Sequence, residues 1–326
     1  MNALKHPGRI SLLFLGGAKR VMMAKMFKDA ARHRGLDCHV VSYELDMHSA
    51  IAAEGEVVVG VKWSSPDILE DLDRVVREKE IDVMLPFVDG AVGIAARYAA
   101  QTNLAEVFAP VSEAGLVEKM FDKIAAADFF EELELPIPPT WRHGTPCGHL
   151  IAKPRFGSAS KGIEFIDNLR DLYQITAQGE GKYLIQQRFD RREEITVDCY
   201  AGMKDGSIAA VSPRIRKEVA GGEVVRTQTI ADPDVDALVR KTLAATGLRG
   251  AVTVQLLRDF DTGRLMIMEI NPRLGGGAVA SVHAGADLPG LILDDAMGRA
   301  LTRQQAQPGV ETVRYLADVV FYPEEK

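Results

Sequence analysis

Four polar side chains within residues 250–277, GAVTVQLLRDFDTGRLMIMEINPRLGGG, have the types and spacing for chemistry on an anion: Gln255, Glu269, Asn271 and Arg273. Val252, Val254 and Leu256 alternate with Thr253, Gln255 and Leu257, the period of a half-buried strand. Asp261-Thr262-Gly263 supplies turn chemistry, and residues 265–270 read as a second strand. Glu269 and Asn271 are two apart and project from one face of it. An antiparallel return through a short loop brings that face near Gln255, so three oxygen-bearing side chains converge at a strand end. Oxygen donors are what a hard cation such as Mg²⁺ takes. Arg273 adds a cation for an anionic group, and three glycines after Leu274 allow close approach of backbone or ligand. A solvated polar strand end is the plainer alternative. It suffices for Glu269 alone, but fits the Glu-x-Asn-x-Arg cluster opposite a Gln poorly.

Other stretches could bring phosphate to this point. Residues 150–153 read as a strand that delivers Lys153 into Pro154-Arg155-Phe156-Gly157-Ser158-Ala159-Ser160-Lys161-Gly162. A strand lysine before a Gly/Ser loop offers one ammonium and several backbone N–H groups to phosphates. The loop lacks the G-x-x-x-x-G-K-[ST] spacing, which disfavours a P-loop fold. Residues 183–189 run from an apolar strand into Gln186, Gln187, Arg188 and Phe189. Glu194, Thr196 and Asp198 share one face of the next strand, and Asp205-Gly206 is a hairpin turn. The returning strand ends in Arg214, Arg216 and Lys217, a group suited either to solvent or to capture of a carboxylate or acyl phosphate.

The combination MEINPR, a strand Gln at this spacing, and a lysine strand feeding a Gly/Ser loop resembles the ATP-grasp superfamily. The likeness is strongest to the synthetase domains of the carbamoyl-phosphate synthase large subunit. The resemblance covers residues 110–326 in motifs and residues 1–110 in architecture only. It implies an α/β fold: a Rossmann-like pre-ATP-grasp domain at 1–110, then a two-lobed ATP-grasp domain with a small lobe over 111–185 and a large lobe over 186–326. It implies ATP as nucleotide and Mg²⁺, or alternatively Mn²⁺, held by Gln255, Glu269 and Asn271. Lys123, Lys153 and the loop with Gly157, Ser158, Ser160, Lys161 and Gly162 would meet phosphates. Gln186, Gln187, Arg188 and Phe189 would form the hinge along the adenine, and Glu194 would meet the ribose. Gln187 departs from the usual hinge Glu, which weakens the preference for adenine over guanine. Arg273, Arg214 and Arg216 would face the reacting groups. The implied activity is ligation of a small-molecule carboxylate to an amine or related nucleophile, through an acyl phosphate with release of ADP and phosphate. A small-molecule kinase and a non-catalytic ATP-binding regulator on the same fold are the alternatives.

The chain as a whole sets wider bounds. Its 326 residues suffice for two or three subdomains, and a net charge of −7 gives no case for nucleic acid as a partner. No apolar run approaches the ~20 residues of a membrane span. Cys38, Cys147 and Cys199, scattered and odd in number, argue against a disulfide framework and for the cytoplasm. The resemblance also admits a homodimer.

Strand and helix signals alternate over the first 110 residues, as in a parallel open sheet. Residues 9–15, 40–43, 57–60 and 82–87 read as strands. Helices are expected over 21–34 and over 66–80, the latter opened by Ser65 and Pro66. The turn Gly16-Gly17-Ala18-Lys19-Arg20 lacks the full G-x-G-x-x-G spacing, so a tight strand-to-helix turn is preferred over a dinucleotide site. Asp89, Gly90, Lys19 and Arg20 fall at strand ends of this sheet, where ligands bind in such folds, with solvated loop residues as the plainer alternative. Ser112 is expected to cap one helix running to residue 134, and Asp232-Pro233 to open another that ends at Gly247. Cys147, His143 and His149 match no zinc spacing, and His283 reads as structural.

Overall fold

The computed structural model describes residues 4–101, 103–145, 148–157, 161–221 and 223–322. The N-terminal part runs β1 (Arg9–Leu15), α1 (Val21–Arg32), β2 (Asp37–Glu44), β3 (Glu56–Val59), α2 (Ile68–Glu78), β4 (Val83–Pro86) and α3 (Asp89–Ala99). Its strands form a parallel sheet in the order β3-β2-β1-β4. β1 is apolar without alternation because helices cover both of its faces. Ile10, Leu12 and Phe14 pack with Met23 and Phe27 of α1, while Leu13 and Leu15 pack with Leu72 and Val75 of α2 and Val92 of α3. This is the doubly wound sheet that the alternation of elements implies. α2 begins two residues later than Pro66, with Asp67 at its start and no side-chain cap.

The middle of the chain contains α4 (Ala114–Phe121), α5 (Lys123–Glu132), β5 (Leu150–Pro154), β6 (Glu164–Ile166), α6 (Leu169–Thr176) and β7 (Tyr183–Gln187). The single helix expected from Ser112 to residue 134 is instead two. Asp122 is extended at φ −95° and ψ 102°, and its carboxylate accepts the N–H groups of Ile124 and Ala125 as the cap of α5. The same carboxylate accepts Nη2 of Arg155 at 2.6 Å, from the end of the small sheet. Ser112 caps no helix: its hydroxyl donates to the Arg249 carbonyl and accepts the Arg249 N–H, tying this segment to the C-terminal part. The small sheet, β6-β5-β7, is antiparallel.

The remaining elements are β8 (Arg192–Ala201), β9 (Ile208–Ala220), β10 (Glu223–Thr229), α7 (Pro233–Thr246), β11 (Gly250–Asp259), β12 (Leu265–Asn271), α8 (Ala278–His283), α9 (Leu288–Ala296) and β13 (Glu311–Val313). They form a six-stranded sheet, β12-β11-β8-β9-β10-β13. Asp232 caps α7 through the N–H groups of Asp234 and Val235, as its Asp-Pro start suggests. β11 is buried on both faces, not half-buried as its alternation suggests. Val252, Val254 and Leu256 enter the core with Val239 and Leu243 of α7. On the opposite face Ala251 joins the core around α1, and Thr253 Oγ1 donates to the Arg273 carbonyl at 2.9 Å. α8 and α9 pack on α1, so the N-terminal sheet and the large sheet share one core. Arg34 pairs with Asp287 and Asp294 across that junction. Shared burial of this kind fixes the two parts relative to each other far more firmly than a polar contact would.

Candidate nucleotide site

β11 and β12 place the oxygen donors. Gln255 lies directly opposite Glu269 in the antiparallel register, and a bulge follows before Leu256 meets Ile267. Both side chains line a cavity of about 400 Å³ between the small and large sheets. Asn271 is 4% exposed, and its Nδ2 donates to Glu269 Oε1 at 2.8 Å. With its nitrogen so engaged, Asn271 Oδ1 is the atom left to face a cation. One carboxylate with two neutral amide oxygens suits Mg²⁺, which binds few protein oxygens and keeps the rest of its shell for phosphate and water. The donor set therefore fits the cation that the motif implies.

The small sheet and its loop supply cations on the opposite wall. Lys153, on β5, points into the cavity with its ammonium 3.0 Å from Gln186 Oε1. Burial pushes its pKa down from 10.5 to about 8, against the raising influence of Glu269. Gln186 is only 2% exposed, and its Nε2 donates to the Pro138 carbonyl. It therefore orients Lys153 and does not itself line the cavity. Lys123 opens α5 where the helix break exposes it, and its Nζ donates to the Gly157 carbonyl at 2.6 Å. Gly157 has φ +122°, a conformation closed to most side chains. Lys161 lines the cavity, and Gly162 makes the return turn against Pro154 outside its lining. Ser158 and Ser160 lie outside the described residues, as does Cys147. His149 pairs with Asp167.

At the far end, Gln187, Arg188 and Phe189 line the cavity. The Gln187 N–H is bonded to the Pro139 carbonyl and the Arg188 N–H to the His149 carbonyl, while the Phe189 N–H has no backbone partner among the described residues. Glu194 also lines the cavity, held by Arg192 at 3.2 Å and Arg216 at 3.5 Å. Of the basic group on β9, only Arg216 faces this space. Arg214 departs from the expectation: it is 3% exposed and binds Asp198 through Nε at 2.8 Å, while Ser281 donates to the same carboxylate. A Cβ at Gly277 would lie 2.6 Å from an Arg214 nitrogen, so the glycine run after Arg273 makes room for this buried pair. Lys217 pairs with Glu311 on β13.

Arg273 also lies outside the cavity lining. It turns toward the N-terminal sheet, where Nε and Nη2 donate to Asp89 Oδ1 at 2.7 and 2.5 Å. The first glycine turn is closed by its own protein: the Glu44 carboxylate accepts the N–H groups of Gly17 and Ala18 and the Ser42 hydroxyl, while burial pushes its pKa up. The amides that would cradle a dinucleotide phosphate are thus already satisfied. The sequence analysis missed Arg192 and the apolar walls Ile151, Ile163, Phe165, Leu257 and Met268. Leu257 was visible as the outward partner of Gln255 in the alternation, two positions along the same face. The others carry no local signal, because they become neighbours only when two sheets face each other.

This fold is similar to that of ATP-grasp proteins. Residues 182–319 match the family described as ATP-grasp in the biosynthetic pathway with Ter operon. The chain is similar in structure to N5-carboxyaminoimidazole synthetase from Staphylococcus aureus complexed with ADP, at 16% identity and TM-score 0.71, over 94% of this chain and 83% of that one. The biotin carboxylase domain of Hydrogenobacter thermophilus 2-oxoglutarate carboxylase, complexed with MgADP and bicarbonate, matches at 16% identity and TM-score 0.71, over 93% and 73%. L-amino acid ligase from Bacillus licheniformis matches at 15% identity and TM-score 0.65, over 90% and 75%. No helix among the described residues is long and apolar enough to cross a membrane.

Proposed function

We propose that this chain is an ATP-dependent ligase that joins a small-molecule carboxylate to an amine through an acyl phosphate. The observation that carries this reading is the composition of one cleft. Lys123, Lys153, Lys161, Arg188, Arg192 and Arg216 line it against only Glu194 and Glu269, with Gln255 opposite Glu269. Such an excess of cations in a partly enclosed space selects a polyanion. A nucleoside triphosphate fits, with its base between Ile151, Phe165, Leu257 and Met268 and against the Phe189 N–H. Its ribose would meet Glu194, and its phosphates would meet Lys153, Lys123 and the loop at Gly157.

Gln255, Glu269 and Asn271 would hold Mg²⁺, which supplies charge neutralisation between phosphates when bound. The residues of the chain itself then do the positioning. Lys153 and Lys123 hold the β- and γ-phosphates in line with the incoming carboxylate, and Arg273 carries that carboxylate beside Asn271. A carboxylate oxygen bonds to the γ-phosphorus as the bond from that phosphorus to the β–γ bridging oxygen breaks, and ADP leaves with the electron pair. The amine nitrogen then bonds to the acyl carbon, the carbon–oxygen bond to phosphate breaks, and the amine loses its proton to solvent. Phosphoryl transfer asks little covalent chemistry of a protein, so no side-chain nucleophile is required.

The test is a screen of carboxylate and amine pairs for ADP release, with products identified by mass. Labelled carboxylate oxygen must appear in the released phosphate. Release of AMP, or retention of the label in the product, would replace this mechanism with adenylation.

A further inference from the structure

The Arg273–Asp89 pair joins the strand end of the candidate cation site to the N-terminal sheet, across 184 residues of sequence. Arg273 cannot move far from the cation donors, because its N–H closes a tight turn onto the Asn271 carbonyl at 2.8 Å. Arg273 is thus tethered two residues beyond Asn271, at the strand end that carries the donor set. Yet Arg273 already holds an anion. Its Nε and Nη2 both donate to one oxygen of Asp89, Oδ1, and its Nη1 reaches the Leu274 carbonyl at 3.3 Å. Both donors thus converge on a single atom in place of the parallel fork that arginine makes with a carboxylate.

The pair is open to exchange. Its side chains are 17% and 29% exposed, against 3% and 1% for Arg214 and Asp198. Asp89 opens α3, and Gly90 beside it is exposed and lies next to the Trp63 ring. The electrostatics of the exchange restrict the ligand. A simple carboxylate on Arg273 would sit against the charge of Asp89 and be repelled by it. A molecule that carries an ammonium next to its carboxylate satisfies both residues at once.

We propose that Arg273 and Asp89 together recognise the carboxyl-donating substrate, and that this substrate is an α-amino acid. Its carboxylate replaces Asp89 on Arg273, and its ammonium binds Asp89. This rests on the ligase reading above and adds the substrate class to it. Asp89 binds substrate and takes no part in phosphoryl transfer, so its loss moves KM for the amino acid and leaves KM for ATP unchanged.

The experiment supplies Mg-ATP with single amino acids and hydroxylamine, which traps an acyl phosphate as a hydroxamate and removes the need to know the natural amine. Each amino acid is run beside the matching acid that lacks the α-amine, for example alanine beside propionate and glutamate beside glutarate. The expected result is hydroxamate from at least one amino acid and none from its partner acid. Asp89→Asn should raise KM for that amino acid about tenfold or more, and Asp89→Glu should recover part of the loss. The melting shift produced by magnesium and a non-hydrolysable ATP analogue should be unchanged in both variants. Equal yields from the acids that lack the amine, or an unchanged KM in Asp89→Asn, overturn the proposal while leaving the ligase reading intact. No hydroxamate from any acid overturns the ligase reading and this proposal with it.

Discussion

Two arginines of this chain hold aspartates, and the difference between the two pairs separates scaffold from site. Arg214 and Asp198 are diagonal neighbours on adjacent strands β9 and β8, at 3% and 1% exposure, and Ser281 donates to the same carboxylate. Arg273 and Asp89 meet across two sheets at 17% and 29% exposure. A buried pair cannot lose one member without leaving a desolvated charge, so it is locked. A pair open to water is worth about 1 kcal/mol or less and can trade partners. Both arginines sit near the same glycine run, and the family resemblance implies the same role for both. Burial alone assigns them different ones.

The largest effect expected from breaking this comparison is on stability. Arg214→Met leaves Asp198 buried without its cation and should cost about 3–5 kcal/mol in urea unfolding. Adding Asp198→Val should return much of that loss, because the second charge is then gone as well. A single variant of wild-type stability would show that Arg214 is not a structural ion pair.

Next comes the cation site. Glu269→Gln keeps shape and hydrogen bonding but removes the only carboxylate of the donor set. Losing one well-placed charge in such a site costs roughly 3 kcal/mol, about a hundredfold in rate. ATP turnover against Mg²⁺ concentration, with melting temperatures alongside, measures it. Unchanged turnover at limiting Mg²⁺ in a folded variant would remove Glu269 from the cation site.

Arg273→Lys sharpens the comparison from the other side. Losing the planar fork should lower turnover by about thirtyfold, the value of roughly 2 kcal/mol for a charged hydrogen bond, with unfolding shifted by no more than ~1 kcal/mol. An unfolding loss as large as that of Arg214→Met would make Arg273 part of the scaffold.

The smallest effect concerns Lys153, a cation whose burial is intermediate in consequence. Its pKa is lowered to about 8, so its proton is present below that pH and lost above it. Phosphates bind the ammonium form. Mg-ATP affinity should therefore fall as pH rises through 8, by about tenfold between pH 7 and 9 if only that form binds. For folding the sign is the reverse. The folded chain holds this proton less tightly than the unfolded chain, so this group makes stability rise with pH between about 8 and 10.5. Lys153→Arg, charged throughout, should flatten the binding profile. A profile that stays sloped in that variant would assign the titration to another group.

The difference between these sites also marks what sequence reasoning reaches. The hairpin pairing of Gln255 with Glu269 was legible because strand period and a short turn constrain which side chains can be opposite. Lys153 and Gly157 were legible for the same reason, as a strand end followed by a permissive turn. Asp122 was not: helix periodicity runs straight through residues 114–132, and only Arg155 from another element shows why the helix breaks there. Gln186 and Gln187 looked equivalent as neighbours at a strand end. Alternation then turned one inward to hold Lys153 and the other toward the cavity.

The sequence by itself determined the strand–helix alternation of the first 110 residues and some caps with local chemistry, such as Asp232 on α7. It also determined the cluster of oxygen donors at the end of β12. Those follow from interactions within a few residues or across one turn, where period and side-chain type leave little freedom. The tertiary structure decided which charges face water, which face a cleft and which face each other. That Glu44 fills its own glycine turn, that Arg214 is sealed under Gly277, and that Arg273 reaches Asp89 all depend on sheets meeting. The strength and exchangeability of a charge pair depend on the solvent left around it, and only the packing of distant segments sets that.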